Sequence, residues 1–199
     1  MTDGRKSDKA RLRRAMGLPI SSMPKDARIR LSSEAFRILA GQPVWIRSKA
    51  VLLYASLTDE LDSDPLIRDA LAAGKTVALP RYLATSRNYE AAVVRDPERD
   101  LQTGNYGIRE PRATCPLLDG NRLDFALVPG VAFTLDGRRL GRGKGHYDRL
   151  LAMVSGFHCG IAYDLQIVED IPMETHDVRL DCILTPSRWC PVSPRAVLK

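Results

Sequence analysis

Between Arg139 and Asp148 the chain reads Arg-Leu-Gly-Arg-Gly-Lys-Gly-His-Tyr-Asp, which sets Gly141, Gly143 and Gly145 among the cations Arg139, Arg142 and Lys144. That composition suits a polyphosphate. Glycine lets backbone approach a ligand closely or take positive φ, while cations and the amides of a following helix face negative charge. Asp148, one turn further on, offers a hard oxygen to the magnesium that such a phosphate brings.

Two common phosphate motifs do not fit this loop. A P-loop places glycine where this chain has Arg138, and Ser or Thr where it has Gly145. A dinucleotide fingerprint needs glycine at His146 and follows a first strand directly. Read by composition alone, the stretch is equally compatible with a flexible, positively charged surface loop.

The flanking elements must hold the loop in place. Phe125 to Val128 reads as a buried strand ending at Pro129-Gly130, and Gly145 to Val154 as a helix with Tyr147, Leu150, Leu151 and Val154 on one side. Upstream, Lys49 to Ala55 and Thr76 to Leu79 read as strands around a helix that starts at Asp64-Pro65, carries Leu66, Ile67, Ala70 and Leu71, and stops at Gly74. Strand, helix and strand in that order imply a right-handed parallel βαβ unit. Further strands are expected at Tyr89 to Val94, Cys159 to Tyr163 and Cys182 to Thr185. The spacing predicts two helices before them. The first runs from an N-cap at Ser7 to Met16 and stops at Gly17-Leu18-Pro19; the second begins near Pro24, buries Ile29, Phe36 and Leu39, and ends at Gly41. The expected fold is therefore α/β: a single domain over residues 1–199 with an open, largely parallel or mixed central sheet and helices on both faces, residues 1–17 forming a basic N-terminal helix.

Composition narrows the function classes. The chain of 199 residues carries a net charge of +6, but its first 30 residues hold nine Lys/Arg and three Asp/Glu, leaving the remainder neutral. A confined surplus favours a local anion site over a broad nucleic-acid face. No apolar run approaches the roughly 20 residues of a membrane span. The N-terminal segment lacks a signal's apolar region, and Asp3 and Asp8 interrupt it as a transit peptide, so a cytoplasmic monomer is expected. Cys115, Cys159, Cys182 and Cys190 form no CxxC pair and have no metal-ligand spacing to His146, His158 or His176, which implies reduced, mostly structural thiols.

Several segments, in order, resemble the 5-formyltetrahydrofolate cyclo-ligase family, also called methenyltetrahydrofolate synthetase. They are Lys9-Ala10-Arg11-Leu12-Arg13, Tyr54 to Glu60, Leu79-Pro80-Arg81-Tyr82, Gly104 to Pro111, Leu127 to Phe133, Arg139 to Asp148, and His176 to Asp181. The resemblance covers almost the whole chain. It implies ATP- and Mg²⁺-dependent conversion of 5-formyltetrahydrofolate to 5,10-methenyltetrahydrofolate, with ADP and phosphate released. The formyl oxygen attacks the γ-phosphate of ATP, and the imidate phosphate so formed is open to N10 of the folate. Such phosphoryl transfer rests on positioning and charge neutralisation more than on a protein nucleophile.

By the same resemblance, Lys9 and Arg13, four apart on one helix face, grip the ATP phosphates, which Arg139, Leu140, Gly141, Arg142, Gly143, Lys144, Gly145, His146 and Tyr147 enclose. Arg142 and Lys144 are the catalytic candidates, stabilising charge on the transferring phosphoryl group. Asp148 and Asp177 are similar to the family's magnesium ligands, with Asp181 a weaker candidate. Glu60 is placed in folate recognition, where a carboxylate pairs with the donor-rich pterin edge; Tyr106, Arg142 and His146 complete the substrate contacts. His146 departs from the tyrosine of many relatives. Two alternatives use the same residues: a relative that binds nucleotide or folate without turnover, and an RNA-binding protein using the basic N-terminus.

Overall fold

The apolar strands are buried on both faces, so they pair side by side under two layers of helix. The computed structural model describes residues 2–104, 107–143, 145–175 and 177–192, and at residues 2–7, 17 and 18 the backbone alone. Its helices are α1 (Thr2–Ser21), α2 (Lys25–Ala40), α3 (Pro43–Arg47), α4 (Asp64–Ala72), α5 (Pro97–Asp100) and α6 (His146–Leu151). The strands are β1 (Ala50–Leu52), β2 (Thr76–Leu83), β3 (Asn88–Val94), β4 (Leu101–Thr103), β5 (Arg109–Pro111), β6 (Phe125–Pro129), β7 (Ala132–Phe133), β8 (Arg139–Leu140), β9 (Phe157–Ile161), β10 (Cys182–Leu184) and β11 (Trp189–Pro191).

Seven strands form one sheet in the order β11-β10-β9-β6-β1-β2-β3. The inner five run parallel, with Val51 of β1 opposite both Val77 of β2 and Phe125 of β6, while β3 and β11 close the edges antiparallel. The side-chain period of two splits the core. Val51 and Leu127 face Leu39, Trp45 and Ile67 of α2, α3 and α4; Leu52 and Val128 face Leu150 and Leu151 of α6. This is the α/β sheet expected, with the βαβ unit in place as β1-α4-β2. Two small antiparallel hairpins, β4/β5 and β7/β8, lie outside the sheet and were not foreseen.

The chain leaves β1 toward β2 but leaves β6 toward β9, in the opposite direction. A crevice opens at such a switch point, beyond the carboxyl ends of the strands. The segments that follow β1 and β6, Leu53 to Glu60 and Gly130 to Asp148, therefore meet there.

The first helix differs from expectation. It continues through Gly17 and Pro19 to Ser21. Leu12, Met16 and Ile20 recur every fourth residue: the first two pack against Ala132, Leu140 and Ile171, and Ile20 is buried in the core that holds Ala35 and Leu39. Burial of about 1.5–3 kcal/mol per such side chain offsets interior Gly and Pro costs of about 1 and 3 kcal/mol. The second helix is framed as expected by Pro24 and Gly41, but Ile29 is half exposed, because Ser32, Ala35 and Leu39 occupy the inner stripe. Ser32 has a positional role. Its hydroxyl donates to Arg28 O at 2.7 Å and accepts from the Asp62 amide at 2.8 Å, tying α2 to the acidic turn after β1.

The hairpin that delivers Arg139 is closed by Asp136, which accepts from Thr134 Oγ1, Arg138 Nε and Arg179 Nη1. Burial pushes the Asp136 carboxyl up, yet these donors outweigh it and hold the pKa at about 2. A depressed carboxylate stabilises the fold above its ordinary value of 3.8, and that contribution is lost as pH falls through about 2. Half exposed, it is expected to contribute less than about 1 kcal/mol. Asp136→Asn should accordingly unfold slightly more easily than the parent at neutral pH. In chemical denaturation the gap should close below pH 3.8 and vanish near pH 2.

Candidate active site

A cleft of about 900 Å³ occupies the switch point, with Tyr54, Pro80 and Pro129 at the strand ends as its floor. One wall is cationic. Lys9 and Arg13 of α1 both face it, and Arg13 Nε donates to Gly141 O at 2.9 Å, docking the helix on the glycine loop. Gly143 has φ 100° and Gly145 φ 64°, which side-chain-bearing residues rarely adopt. At Gly143 a Cβ would also sit 3.3 Å from the Arg13 guanidinium. Lys9 Nζ lies 3.1 Å from Asp177 Oδ2 and 3.3 Å from Glu174 Oε2, and the Glu174 amide donates to the same Asp177 oxygen at 2.8 Å. Residues 165 or more positions apart thus form one cluster.

Arg139 is buried beneath the loop. It donates to Pro129 O at 3.3 Å and to Asp148 Oδ1 at 2.9 Å, and its guanidinium stacks over Tyr147 at 5.6 Å. Its Nε, also buried, has no hydrogen-bond partner. Arg139 also lines the cleft. Leu140 likewise meets the cleft through its backbone, since its side chain is buried against Ala132 and Ile171 and its carbonyl accepts from Val131.

Glu60 lines the same cleft. Burial pushes its carboxyl up, against the Leu57 amide at 3.0 Å and Arg142 Nη2 at 3.2 Å, both of which favour the charged form. Arg142 also donates to Asp59 Oδ1 at 2.7 Å. Partial burial opposes the Arg142 charge, but the two carboxylates more than offset it and raise its pKa. Tyr163 Oη donates to Glu60 O at 3.1 Å, and Tyr54 Oη to Leu61 O at 2.7 Å, so two buried phenols set the turn's height above the sheet.

The cleft also has an aromatic wall. The His146 ring meets Tyr82 and Tyr89 edge to face, at 5.4 and 5.2 Å between centroids, and its Nδ1 lies 2.7 Å from Arg149 Nη2. Tyr147 is partly buried, and desolvation pushes its phenol well up. Such a wall suits a flat heterocycle. Tyr82 and Tyr89 carried no functional signal in sequence; they face the cleft because they are paired across β2 and β3. Glu174 and Arg109 also line it unforeseen, Arg109 in an ion pair with Asp64.

Lys144 and Tyr106, expected to act in catalysis and substrate binding, lie outside the described residues. Asp148 and Asp177 both line the cleft, held by Arg139 and Lys9. Asp181 does not line it; its Oδ2 accepts from the His158 amide at 2.8 Å. Among the described residues no three His, Cys, Asp or Glu side chains gather to hold a metal ion. Magnesium arriving with phosphates needs only one or two protein carboxylates, a requirement that Asp148 and Asp177 suit.

The sequence model of the 5-formyltetrahydrofolate cyclo-ligase family matches residues 5–186. The 5-formyltetrahydrofolate cyclo-ligase of Escherichia coli K12 is 35% identical over 158 residues, covering 77% of this chain and 86% of that protein. The mouse enzyme of the same name is 28% identical over 189 residues, covering 89% and 93%. The NMR structure of Aquifex aeolicus 5,10-methenyltetrahydrofolate synthetase superposes with a TM-score of 0.84 at 33% identity, over 96% of both chains.

Proposed function

The chain belongs to the 5-formyltetrahydrofolate cyclo-ligase family, and we propose that it closes 5-formyltetrahydrofolate to 5,10-methenyltetrahydrofolate at the cost of ATP, with Mg²⁺. It is an ATP-dependent ligase acting as a single cyclo-ligase domain, residues 1–199, to which α1 brings the nucleotide end. The observation that carries this reading is one cleft that gathers cations from α1 and the glycine loop, the Glu60 carboxylate and an aromatic wall. A triphosphate suits the cations, and a pterin suits the carboxylate and the wall.

In this reading the formyl oxygen attacks the γ-phosphorus and ADP leaves. N10 then attacks the formyl carbon, gives up its proton, and phosphate departs as the ring closes. Arg142, a cation of the glycine loop paired with Glu60, can neutralise charge on the transferring group. Lys9, Arg13 and the loop from Arg139 to Tyr147 hold the nucleotide, and Lys144 joins Arg142 in stabilising the transferring charge; Glu60 orients the pterin, and Tyr106 and His146 flank it. Asp148 and Asp177 would hold magnesium, which screens phosphate charge. The reading takes the protein as a cytoplasmic monomer. Among the described residues no helix is long and apolar enough to cross a membrane. Lys9 and Arg13 are turned inward onto Asp177 and Gly141, which disfavours an RNA-binding face.

The test is ATP- and Mg²⁺-dependent growth of the methenyl product's absorbance from 5-formyltetrahydrofolate. A folded protein that binds ATP but forms no product would instead be a non-catalytic relative. Asp148→Asn keeps an oxygen for Arg139 but removes the charge. It should slow turnover about 10²-fold, the loss expected of several kcal/mol of metal-assisted stabilisation. Raised magnesium should recover part of the rate, and an unaffected rate would remove Asp148 from the metal role.

A further inference from the structure

Arg142 of the glycine loop is already held by Asp59 at 2.7 Å and by Glu60 at 3.2 Å. These contacts bridge two segments more than 80 residues apart, and they place a phosphate-facing guanidinium on the carboxylate assigned to the pterin. Asp59 falls within the Tyr54 to Glu60 segment of the family resemblance, which gives it no role of its own. Resting on the proposed function, we propose that Asp59 is a positioning residue of an interlock, in which it and Glu60 hold Arg142 away from phosphate until folate donors occupy Glu60.

Glu60 loses its cationic partner when Arg142 turns toward a phosphate. The Glu60 side chain is only 11% exposed, so without Arg142 it is a buried carboxylate left with the Leu57 amide. An uncompensated buried charge is costly. With the folate subsite empty, that cost opposes movement of Arg142, and the pull of Asp59 adds to it. When the donor edge of a pterin reaches Glu60, new hydrogen bonds replace the guanidinium. Only Asp59 then holds Arg142, and a contact on a half-exposed side chain is weak. Folate therefore releases Arg142 to the phosphates. Nucleotide binding should strengthen when folate is present, and by linkage folate should gain equally from nucleotide. The consequence is restraint of ATP hydrolysis when no folate is there to accept the phosphoryl group.

Calorimetric titration of a non-hydrolysable ATP analogue with Mg²⁺, with and without 5-formyltetrahydrofolate, reads the coupling directly. The parent should bind the analogue at least about five-fold more tightly with folate, the lower end of measured coupling between sites. Asp59→Asn should bind the analogue more tightly than the parent without folate, show a reduced coupling factor, and hydrolyse more ATP in folate's absence. Asp59→Glu, which keeps the charge, should retain most of the coupling. A merely structural Asp59 would instead weaken both ligands. Equal coupling in the parent and Asp59→Asn, or none in the parent, would overturn the interlock alone. A parent that binds neither ligand would overturn the functional reading and the interlock together.

Discussion

Arg142→Ala is expected to lower turnover by about 10²–10³-fold, the loss typical of removing one well-placed donor from a developing negative charge. Among the described residues, the other cations of the cleft are held elsewhere. Arg139 is held by Pro129 and Asp148, Arg13 by Gly141, and Lys9 by Asp177 and Glu174. The fall should appear in kcat with ATP saturating, because Lys9 and Arg13 still supply nucleotide affinity. An unchanged kcat with a raised KM for ATP would make Arg142 a binding residue only.

The same substitution should change the folate KM in a pH-dependent way. Burial raises the Glu60 pKa and Arg142 opposes that rise, so the variant's Glu60 should protonate at a higher pH than the parent's. A protonated carboxyl accepts from a pterin less well, and the folate KM should begin to climb at a higher pH as the solution is acidified. Stability carries the opposite sign. A carboxyl whose folded pKa lies above its unfolded value favours the fold below the unfolded value, and that advantage is lost as pH rises through the folded one. Arg142→Ala should therefore lose stability relative to the parent on the alkaline side. Paired measurements of KM and denaturation midpoint against pH separate the two effects.

What the sequence made legible depended on how local each determinant was. The β1-α4-β2 unit announces itself through a Val/Leu run, the Asp64-Pro65 start and Gly74, all within 30 residues. So does β6, whose five residues are all buried. The length of α1 was not legible. Gly17 and Pro19 are true local stop signals, overridden by burial of Leu12, Met16 and Ile20 against residues more than 100 positions away as well as against α2. The two hairpins were missed because β4, β5, β7 and β8 have two or three residues each, too few for a period to register.

The candidate site divides the same way. The glycine loop and the Lys9/Arg13 spacing are local patterns, readable as an anion cradle before any fold is known. Which cations face a ligand is a tertiary fact. Arg139 and Arg142 are indistinguishable in sequence, yet one is buried on Asp148 and the other is half exposed on Asp59 and Glu60. Glu174 meets Lys9 only because the chain's two ends converge on the switch point, and no spacing rule connects them.

Arg139→Ala should destabilise the protein by about 3 kcal/mol, near the lower end of what breaking a buried ion pair costs. The side chains of Arg139 and Asp148 are 3% and 16% exposed, so Asp148 would keep its charge with little water and no partner. For a chain of this size the melting temperature should fall by roughly 6–12 °C. Replacing both partners distinguishes an unpaired charge from lost packing. Arg139→Met with Asp148→Leu removes the stranded carboxylate and fills the space, and should regain at least about half of the lost stability while losing the activity that depends on Asp148. If the double variant melts no higher than Arg139→Ala, the cost lies instead in the contact under Tyr147 and the abandoned Pro129 carbonyl. If Arg139→Ala melts with the parent, the pair has no structural role. Arg139 would then be kept for its effect on Asp148 alone, visible as a higher magnesium requirement for nucleotide binding.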